Sequence, residues 1–516
     1  MLRWKFPFVP RLEAVCTIDR KPIFGLLVAL LTVLAQPVAA APLYPLQKSA
    51  NGRYFVDQAG VPVLVHGDTP WSLIGELTRE EVTDYLDDCA ARKFNALIVN
   101  APEAAYTSDP PNNAYGQPPF LIPGRFSTRN EAYYQHADFV VEEAAARGIQ
   151  ILMAPAYLGH PGEGWYDAVH DQNTAQEMRQ YGAWIGNRYA GTPNLMFMWG
   201  TEPLPFDLVI RDKVRAMAEG LRSVDASHLT TYHSSSEQAT YDVWTPSQET
   251  WLDFNNIYTY QPVWQSAQRD YGFFPPTPFI LLESKYENER GTSGKQQRVQ
   301  AYHALLSGAA GHFYGNSPIW HMGVAGGNWR AALSDPGRDD MAHVKKLFES
   351  RTWHRLVPDF NGTVLTSGHS TGDDRATVAR TDDGKTIIVY APSRRTLRVD
   401  MNALSGATAT AWWYNPRDGS VDGGTQMASS GSRDFVPPTY DDWVLVIDDY
   451  AAGLAPPGTV NLYDGDGSDF VCRLADVGRL PQCTCSVSAP GGSTSPLWLA
   501  FLLGLWVALR RRGSGG

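Results

Sequence analysis

Between residues 60 and 315, short apolar runs of strand length alternate with amphipathic stretches of helical period. That alternation predicts successive βα units on a parallel sheet. Eight strands are read, at 63–66, 95–100, 150–154, 195–199, 229–233, 255–258, 278–283 and 311–314. The helix stretches carry their own punctuation. Thr78 is a good N-cap with Glu81 three positions on, and Gly148 ends the helix that starts at Glu131. Eight strands with crossovers over this length predict a closed (β/α)8 barrel, an α/β fold. Each run turns polar at its C-terminal end: His66-Gly67-Asp68, Asn100, Gly200-Thr201-Glu202, His233, Tyr258-Thr259-Tyr260, Glu283-Ser284 and Gly315-Asn316. The third run ends at Pro155, with Tyr157 its nearest polar group. In such a barrel these ends form the face where chemistry sits. An unpaired buried polar group costs about 1–3 kcal/mol, so a near-complete ring of them predicts a ligand-binding mouth.

The pattern shifts beyond residue 358. Short alternating runs at 376–380, 386–390, 397–399, 408–413 and 443–447, separated by turn residues, predict a small antiparallel β-sandwich over 359–449. Residues 450–495 are rich in Gly, Pro, Asp and Ser and read as a linker. The two ends of the chain carry topological signals. Arg20 and Lys21 precede an apolar run, and Val38-Ala39-Ala40 supplies small residues, so 1–41 reads as an export signal. At the other end, 496–516 holds a short apolar segment followed by Arg510-Arg511-Arg512, a stop-transfer pattern. The barrel region is thus 42–358, and the protein is expected to be exported, with transient membrane association through the tail.

Composition narrows the partners. The formal net charge of the 516-residue chain is -11 and the barrel region carries no long basic run, which argues against a nucleic-acid or anionic-membrane partner and suits a neutral or polymeric substrate. The chain has 16 Trp and 24 Tyr, rings that sugar clefts and cores both use. Of five Cys, Cys16 lies in the export signal, Cys89 reads as a buried thiol on a helix, and Cys472, Cys483 and Cys485 cluster near the tail, where one pair is able to form a disulfide. No Cys/His spacing resembles a zinc site, and no cofactor or metal is expected.

The chemistry rests on two carboxylates. Glycoside cleavage needs one carboxyl as acid/base and, in retaining enzymes, a second as nucleophile about 5–5.5 Å away. Met196-Phe197-Met198-Trp199-Gly200-Thr201-Glu202-Pro203 is an apolar strand ending in one carboxylate, and Phe279-Ile280-Leu281-Leu282-Glu283-Ser284 ends in another. As the fourth and seventh strands they sit on opposing sides of a barrel mouth. Glu202 and Glu283 are therefore the candidate catalytic pair, with Glu287 a nearby rival read as a surface or substrate-contacting residue. Either acid alone is equally a helix cap or a surface ion-pair partner. The Thr-Glu-Pro turn resembles the Asn-Glu-Pro acid/base motif of the large retaining glycosidase clan built on this barrel.

A wider set of segments strengthens the resemblance. Tyr44-Pro45-Leu46, His66-Gly67-Asp68-Thr69-Pro70-Trp71-Ser72-Leu73, Pro111-Asn112-Asn113-Ala114-Tyr115-Gly116, Pro155-Ala156-Tyr157-Leu158-Gly159 and Gly308-Ala309-Ala310-Gly311-His312-Phe313-Tyr314-Gly315-Asn316 together resemble the apiosidase-like catalytic domain of glycoside hydrolase family 140 and its relatives, over about 44–355. Residues 360–448 resemble the collagen-binding-type β-domain that usually follows it, and the last 35 or so resemble a myxobacterial-type sorting tail. The resemblance implies action on plant cell-wall side chains, notably apiose in the pectin rhamnogalacturonan II. In that family the fourth-strand acid is an Asp in a Gly-Gly-Asp context, whereas this chain has Glu202 after Gly200-Thr201.

By position, Asp68 and Trp71 are expected to bind a hydroxyl pair and stack on a sugar, and Asn100 and His233 to orient the sugar or a carboxylate. Tyr258 is expected to donate to Glu283 and keep it ionised. Tyr157, His312, Asn316 and Trp320 complete the candidate subsite wall. Glu202 needs a raised pKa to act as an acid, which burial and an anionic Glu283 supply. The competing reading is a non-catalytic surface protein that binds carbohydrate or collagen. The lack of His-Glu-x-x-His and Gly-x-Ser-x-Gly motifs argues against a protease.

Overall fold

The computed structural model describes residues 41–200, 202 and 206–459. Eight strands form one parallel sheet: β1 Val65–Asp68, β2 Ala96–Asn100, β3 Gln150–Ala154, β4 Leu195–Gly200, β5 Thr230–His233, β6 Asn255–Tyr258, β7 Phe279–Glu283 and β8 Gly311–Tyr314. Their lateral order is β5-β4-β3-β2-β1-β8-β7-β6, the cyclic order of a (β/α)8 barrel. The seam between β5 and β6 is closed largely by side chains. Asn256 donates to the Tyr232 carbonyl at 2.8 Å, Thr231 donates to the Phe254 carbonyl at 2.7 Å, and the Asp253 amide reaches the Thr230 carbonyl at 2.9 Å.

Both faces of each strand are buried, which is why the strands read as continuous apolar runs. Val65, Ala96, Ile98, Leu152, Ala154, Met196, Met198, Ile280 and Leu282 fill the interior. Their neighbours Leu97, Val99, Ile151, Met153, Leu195 and Phe197 pack outward under the helices. Gly67 is required here, because a Cβ at that position would lie 2.1 Å from the Phe313 ring that fills the interior.

The crossover helices are α1 Arg79–Ala91, α2 Glu131–Ala146, α3 Ala175–Tyr189, α4 Leu208–Arg222, α5 Thr240–Val243, α6 Val263–Tyr271, α7 Gly294–Leu306 and α8 Pro336–Glu349. Thr78 caps α1 in the capping box expected of it, with Glu81 returning a bond to the Thr78 amide. A three-stranded antiparallel sheet (Gln47–Lys48, Phe55–Val56, Pro62–Val63) precedes the barrel. It places Leu46 and Phe55 in the interior cluster, with the Phe55 and Phe254 rings 5.4 Å apart. The hydrophobic pattern does not announce these strands, because they are only two residues long.

The C-terminal domain pairs two antiparallel sheets. The larger holds Leu356–Pro358, Thr377–Thr381, Thr386–Ala391, Trp443–Asp449, Thr408–Tyr414 and Val421–Ala428, and the smaller holds Leu365–Ser367, Leu397–Asp400 and Ser432–Phe435. The domain is anchored through α7, which is buried from Gln297 to its end. Tyr302 stacks on Tyr390 at 4.4 Å, and Arg298 makes a bidentate pair with Asp442 at 2.7 Å while also reaching Asp340. Arg351 pairs with Asp448, and residues 450–459, expected to start a linker, fold back so that the Ala455 carbonyl accepts from Arg351 at 3.0 Å. Among the described residues, no helix is long and apolar enough to cross a membrane. The expected export signal (apart from residue 41), the three distal cysteines and the apolar tail lie outside the described residues.

Candidate active site

Glu202 and Glu283 are brought together around His233. The Glu202 amide donates to the His233 carbonyl at 3.2 Å, and His233 Nε2 lies 3.1 Å from Glu283 Oε2. Two local devices aim the carboxylates. On β7, Leu282 already points into the barrel, so strict alternation would send Glu283 outward. The pairing register with β6 shifts between Leu281 and Glu283, and this irregularity turns Glu283 back toward the mouth. After β4 the chain reverses through positive φ at Gly200 (89°) and at Glu202 itself (62°). A side chain at Gly200 would strike the Tyr232 ring at 2.3 Å. A non-glycine residue in the left-handed region costs about 1–3 kcal/mol and persists where the surroundings enforce it, a pattern common at functional sites.

The protonation pattern follows from burial. Glu283 retains only 15% side-chain exposure, and burial pushes its carboxyl up to about 8, with a hydrogen bond from Tyr286 opposing the rise. Burial and then the charge of Glu283 raise Glu202, while the Tyr258 hydroxyl pulls it down, as does the Tyr157 hydroxyl whenever its one proton is given to Glu202. Both carboxyls of the pair therefore resist ionisation. Burial holds His233 down to about 4, so its ring is neutral and serves Glu283 as a hydrogen-bonding partner rather than a counter-ion. Tyr258 differs from expectation: its hydroxyl serves Glu202 and sits 3.0 Å from Tyr260, and Tyr286 takes the role expected of it at Glu283.

Four further expected residues reach this mouth. Trp71 donates its indole N–H to Tyr286 at 2.8 Å and sets its ring edge-on to His233 at 5.8 Å. Tyr157 Oη lies 3.2 Å from Glu202 Oε2. The Asn100 amide donates to the Trp71 carbonyl and its side chain donates to Glu103. Trp320 is partly exposed against Tyr106, with ring centroids 5.0 Å apart.

Four others do not. Asp68 is fully buried, bonded to Arg338, Tyr85 and the Thr69 amide. His312 lies 3.0 Å from His66, and burial lowers His312 to about 3. Asn316 donates to Tyr314 and Asp335. Glu287 is buried too, accepting from Tyr314 and the Gly337 amide, so it is neither a surface residue nor a substrate contact. The reason is the period of two along a strand. Val65 and Gly67 of β1 and Phe313 of β8 face the interior, so Asp68 and His312 are turned toward the helix layer.

Sequence reasoning passed over Tyr286, Tyr106 and Glu163. Tyr286 lies three residues past the β7 carboxylate, a loop position with no periodicity to mark it. Glu163 accepts from both Tyr106 and Tyr157, the latter at 3.0 Å. Only its place in a glycine-rich loop after β3 was available as a signal. Among the described residues, no group of three or more His, Cys, Asp or Glu is placed to hold a metal ion.

This constellation, two neighbouring buried carboxyls at the mouth of a (β/α)8 barrel, defines a glycoside hydrolase. Residues 49–355 match the family model described as "Apiosidase-like, catalytic domain", and the chain belongs to that family. Residues 357–448 match "Putative collagen-binding domain of a collagenase". Among solved structures, the chain is similar to one titled "Glycoside hydrolase", at 26% identity and TM-score 0.71, covering 79% of this chain and 97% of the other. It is also similar to a glycoside hydrolase family 5 protein from Bacteroides vulgatus, at 26% identity and TM-score 0.69, covering 79% and 94%. No curated protein matches the chain.

Proposed function

We propose that this glycosidase removes apiose-like side-chain sugars from plant cell-wall polysaccharide by a retaining mechanism, with Glu202 as acid/base and Glu283 as nucleophile. The observation that carries the reading is that both glutamates meet at His233, Glu202 through its backbone amide and Glu283 through its carboxyl, with the Glu283 charge felt at the Glu202 carboxyl. In the first step Glu283 attacks the anomeric carbon while Glu202 gives its proton to the departing glycosidic oxygen. In the second, Glu202 takes a proton from water, which attacks the same carbon and releases Glu283. Trp71 and Trp320 offer ring surface for the sugar, and Asn100 offers an amide. The β-domain acts as a buttress, since its Asp442 and Tyr390 are spent on the barrel. The enzyme works outside the cell, exported by its N-terminal segment and displayed or released through its C-terminal tail.

The test is hydrolysis of rhamnogalacturonan II oligosaccharides by the wild type, Glu202→Gln and Glu283→Gln. General acid catalysis is worth about 10²–10⁴-fold, so Glu202→Gln is expected to lose at least that much while staying folded. Glu283→Gln is expected to lose as much or more. On an activated aryl glycoside, whose leaving group departs without a proton, azide is expected to rescue Glu202→Ala and give a glycosyl azide of retained configuration, because azide needs no base to attack the glycosyl-enzyme. Full activity in both Gln variants ends the reading.

A further inference from the structure

Glu163 belongs to none of the roles above, yet it is tied to Glu202 through one hydroxyl. The loop that carries it is closed by its own backbone. The Trp165 amide donates to the Tyr157 carbonyl at 2.9 Å, the Tyr166 amide to the Leu158 carbonyl at 3.0 Å, and the Glu163 amide to the His160 carbonyl at 2.8 Å. Gly159, at φ 65°, has no room for a side chain, since its Cβ would stand 2.9 Å from Glu163. The carboxylate is therefore held in place. Its Oε1 accepts from Tyr106 and from Tyr157 Oη, and its Oε2 accepts from the His160 amide at 3.3 Å.

Tyr157 Oη lies 3.0 Å from Glu163 and 3.2 Å from Glu202, and it has one proton for the two. Which of the two carboxyls is charged decides where that proton points. Burial works to raise Glu163, but bonds from Tyr106, the His160 amide and Tyr157 outweigh it and keep this carboxyl below its ordinary range, while Glu202 is raised. Glu163 is the anion, so the Tyr157 proton points to Glu163.

We propose that Glu163 is a positioning residue for the acid: by drawing the Tyr157 proton, it leaves Tyr157 Oη free to accept a hydrogen bond from the Glu202 O–H, and so holds Glu202 in its protonated form. The proposal rests on Glu202 being the proton donor. Without the Glu163 charge, Tyr157 turns and donates to Glu202, which favours the carboxylate. The other groups facing Glu202 are Glu283, His233 and Tyr258, and those facing Glu163 are Tyr106, Tyr157 and His160.

The experiment reads Glu202 directly in the free full-length protein, with no substrate. The carboxyl ¹³C resonance of Glu202, assigned by its loss in Glu202→Gln, is titrated in wild type, Glu163→Gln, Tyr157→Phe and the double variant, each checked for folding by its thermal melt. The expected result is a midpoint about one pH unit lower in Glu163→Gln, with no further change when the same substitution is made in Tyr157→Phe. Two results overturn the proposal: an unmoved midpoint in Glu163→Gln, or an equal drop in the Tyr157→Phe background, which would be plain repulsion through space. Should Glu163→Gln unfold, Tyr157→Phe alone decides. Removing the hydroxyl that accepts from Glu202 is expected to lower the midpoint, and an unmoved or raised one overturns the idea. A wrong assignment of Glu202 as acid would show instead as retained hydrolysis in Glu202→Gln, whatever the titration gives.

Discussion

Asp68 offers the sharpest test of the reasoning, because its position in the sequence and its place in the fold point to different roles. At the end of β1 it was expected to bind sugar. In the fold, Asp68 and Arg338 are both at 0% side-chain exposure and paired with each other. Arg338 keeps a second partner in Asp88 at 2.9 Å, a contact to Cys89 Sγ at 3.2 Å, and the Tyr85 and Phe94 rings at 5.4 and 4.9 Å. The perturbation is Asp68→Asn, which keeps the shape and removes the charge. Breaking a buried pair from one side costs about 3–5 kcal/mol, because the remaining ion is left uncompensated. The surviving Asp88 contact places this case near the lower end, about 3 kcal/mol. Unfolding entropy of about 2.1 cal/mol/K per residue, over roughly 400 residues, is near 0.8 kcal/mol/K, so Tm is expected to fall by about 4 °C. The assay is a thermal melt at pH 7 beside steady-state kinetics on the oligosaccharide. KM is expected to stay within about twofold. The double variant Asp68→Leu/Arg338→Met is expected to recover much of the loss, since an apolar pair of similar volume replaces a buried ion pair at little cost. A variant with unchanged Tm and a KM raised tenfold would refute the assignment and return Asp68 to the sugar site.

Other outcomes follow from the same geometry. Burial raises Glu283 from about 4.5 unfolded to about 8, so the stability it contributes is present below pH 4.5 and lost as pH rises through 8. Glu283→Gln should therefore melt higher than wild type at pH 9 but not at pH 4. Tyr286→Phe removes a donor that favours the Glu283 carboxylate, so the acidic limb of the kcat/KM profile is expected to move to higher pH. Glu202→Asp draws the carboxyl back by about an ångström from a site that Tyr157 approaches at 3.2 Å, and a loss of about 10²-fold in kcat is expected. Arg298→Met leaves Asp442 and Asp340 buried without their main cation. A Tm several degrees lower, with kcat and KM unchanged, would show that the β-domain stabilises the barrel without joining the chemistry.

Much of this protein was legible in the linear chain, and the physical reason differs from element to element. All eight barrel strands were read, because a strand covered on both faces must be apolar throughout and must end where the chain meets water. The strands at Val421–Ala428 and Ser432–Phe435 were missed, because most of their residues are exposed and carry no apolar alternation. Glu202 and Glu283 stood out as charges behind apolar runs. Which way a strand-end residue points was not legible. It depends on the period of two and on departures from it, and the register shift that turns Glu283 inward is fixed by the neighbouring strand rather than by its own residues.

The order of elements, the polar mouth and the acidic pair are properties of local pattern, and the sequence determined them by itself. The division of the mouth's residues was decided only by closure of the barrel. Closure fixed which side of each strand is interior, so that alternation leaves Asp68 and His312 facing the helix layer, and it brought Tyr286, from beyond β7, against Trp71. It also set one tyrosine hydroxyl between Glu163 and Glu202, residues from different loops. A hydrogen bond requires two groups within about 3 Å, and no spacing along a chain fixes that distance until the sheet has closed.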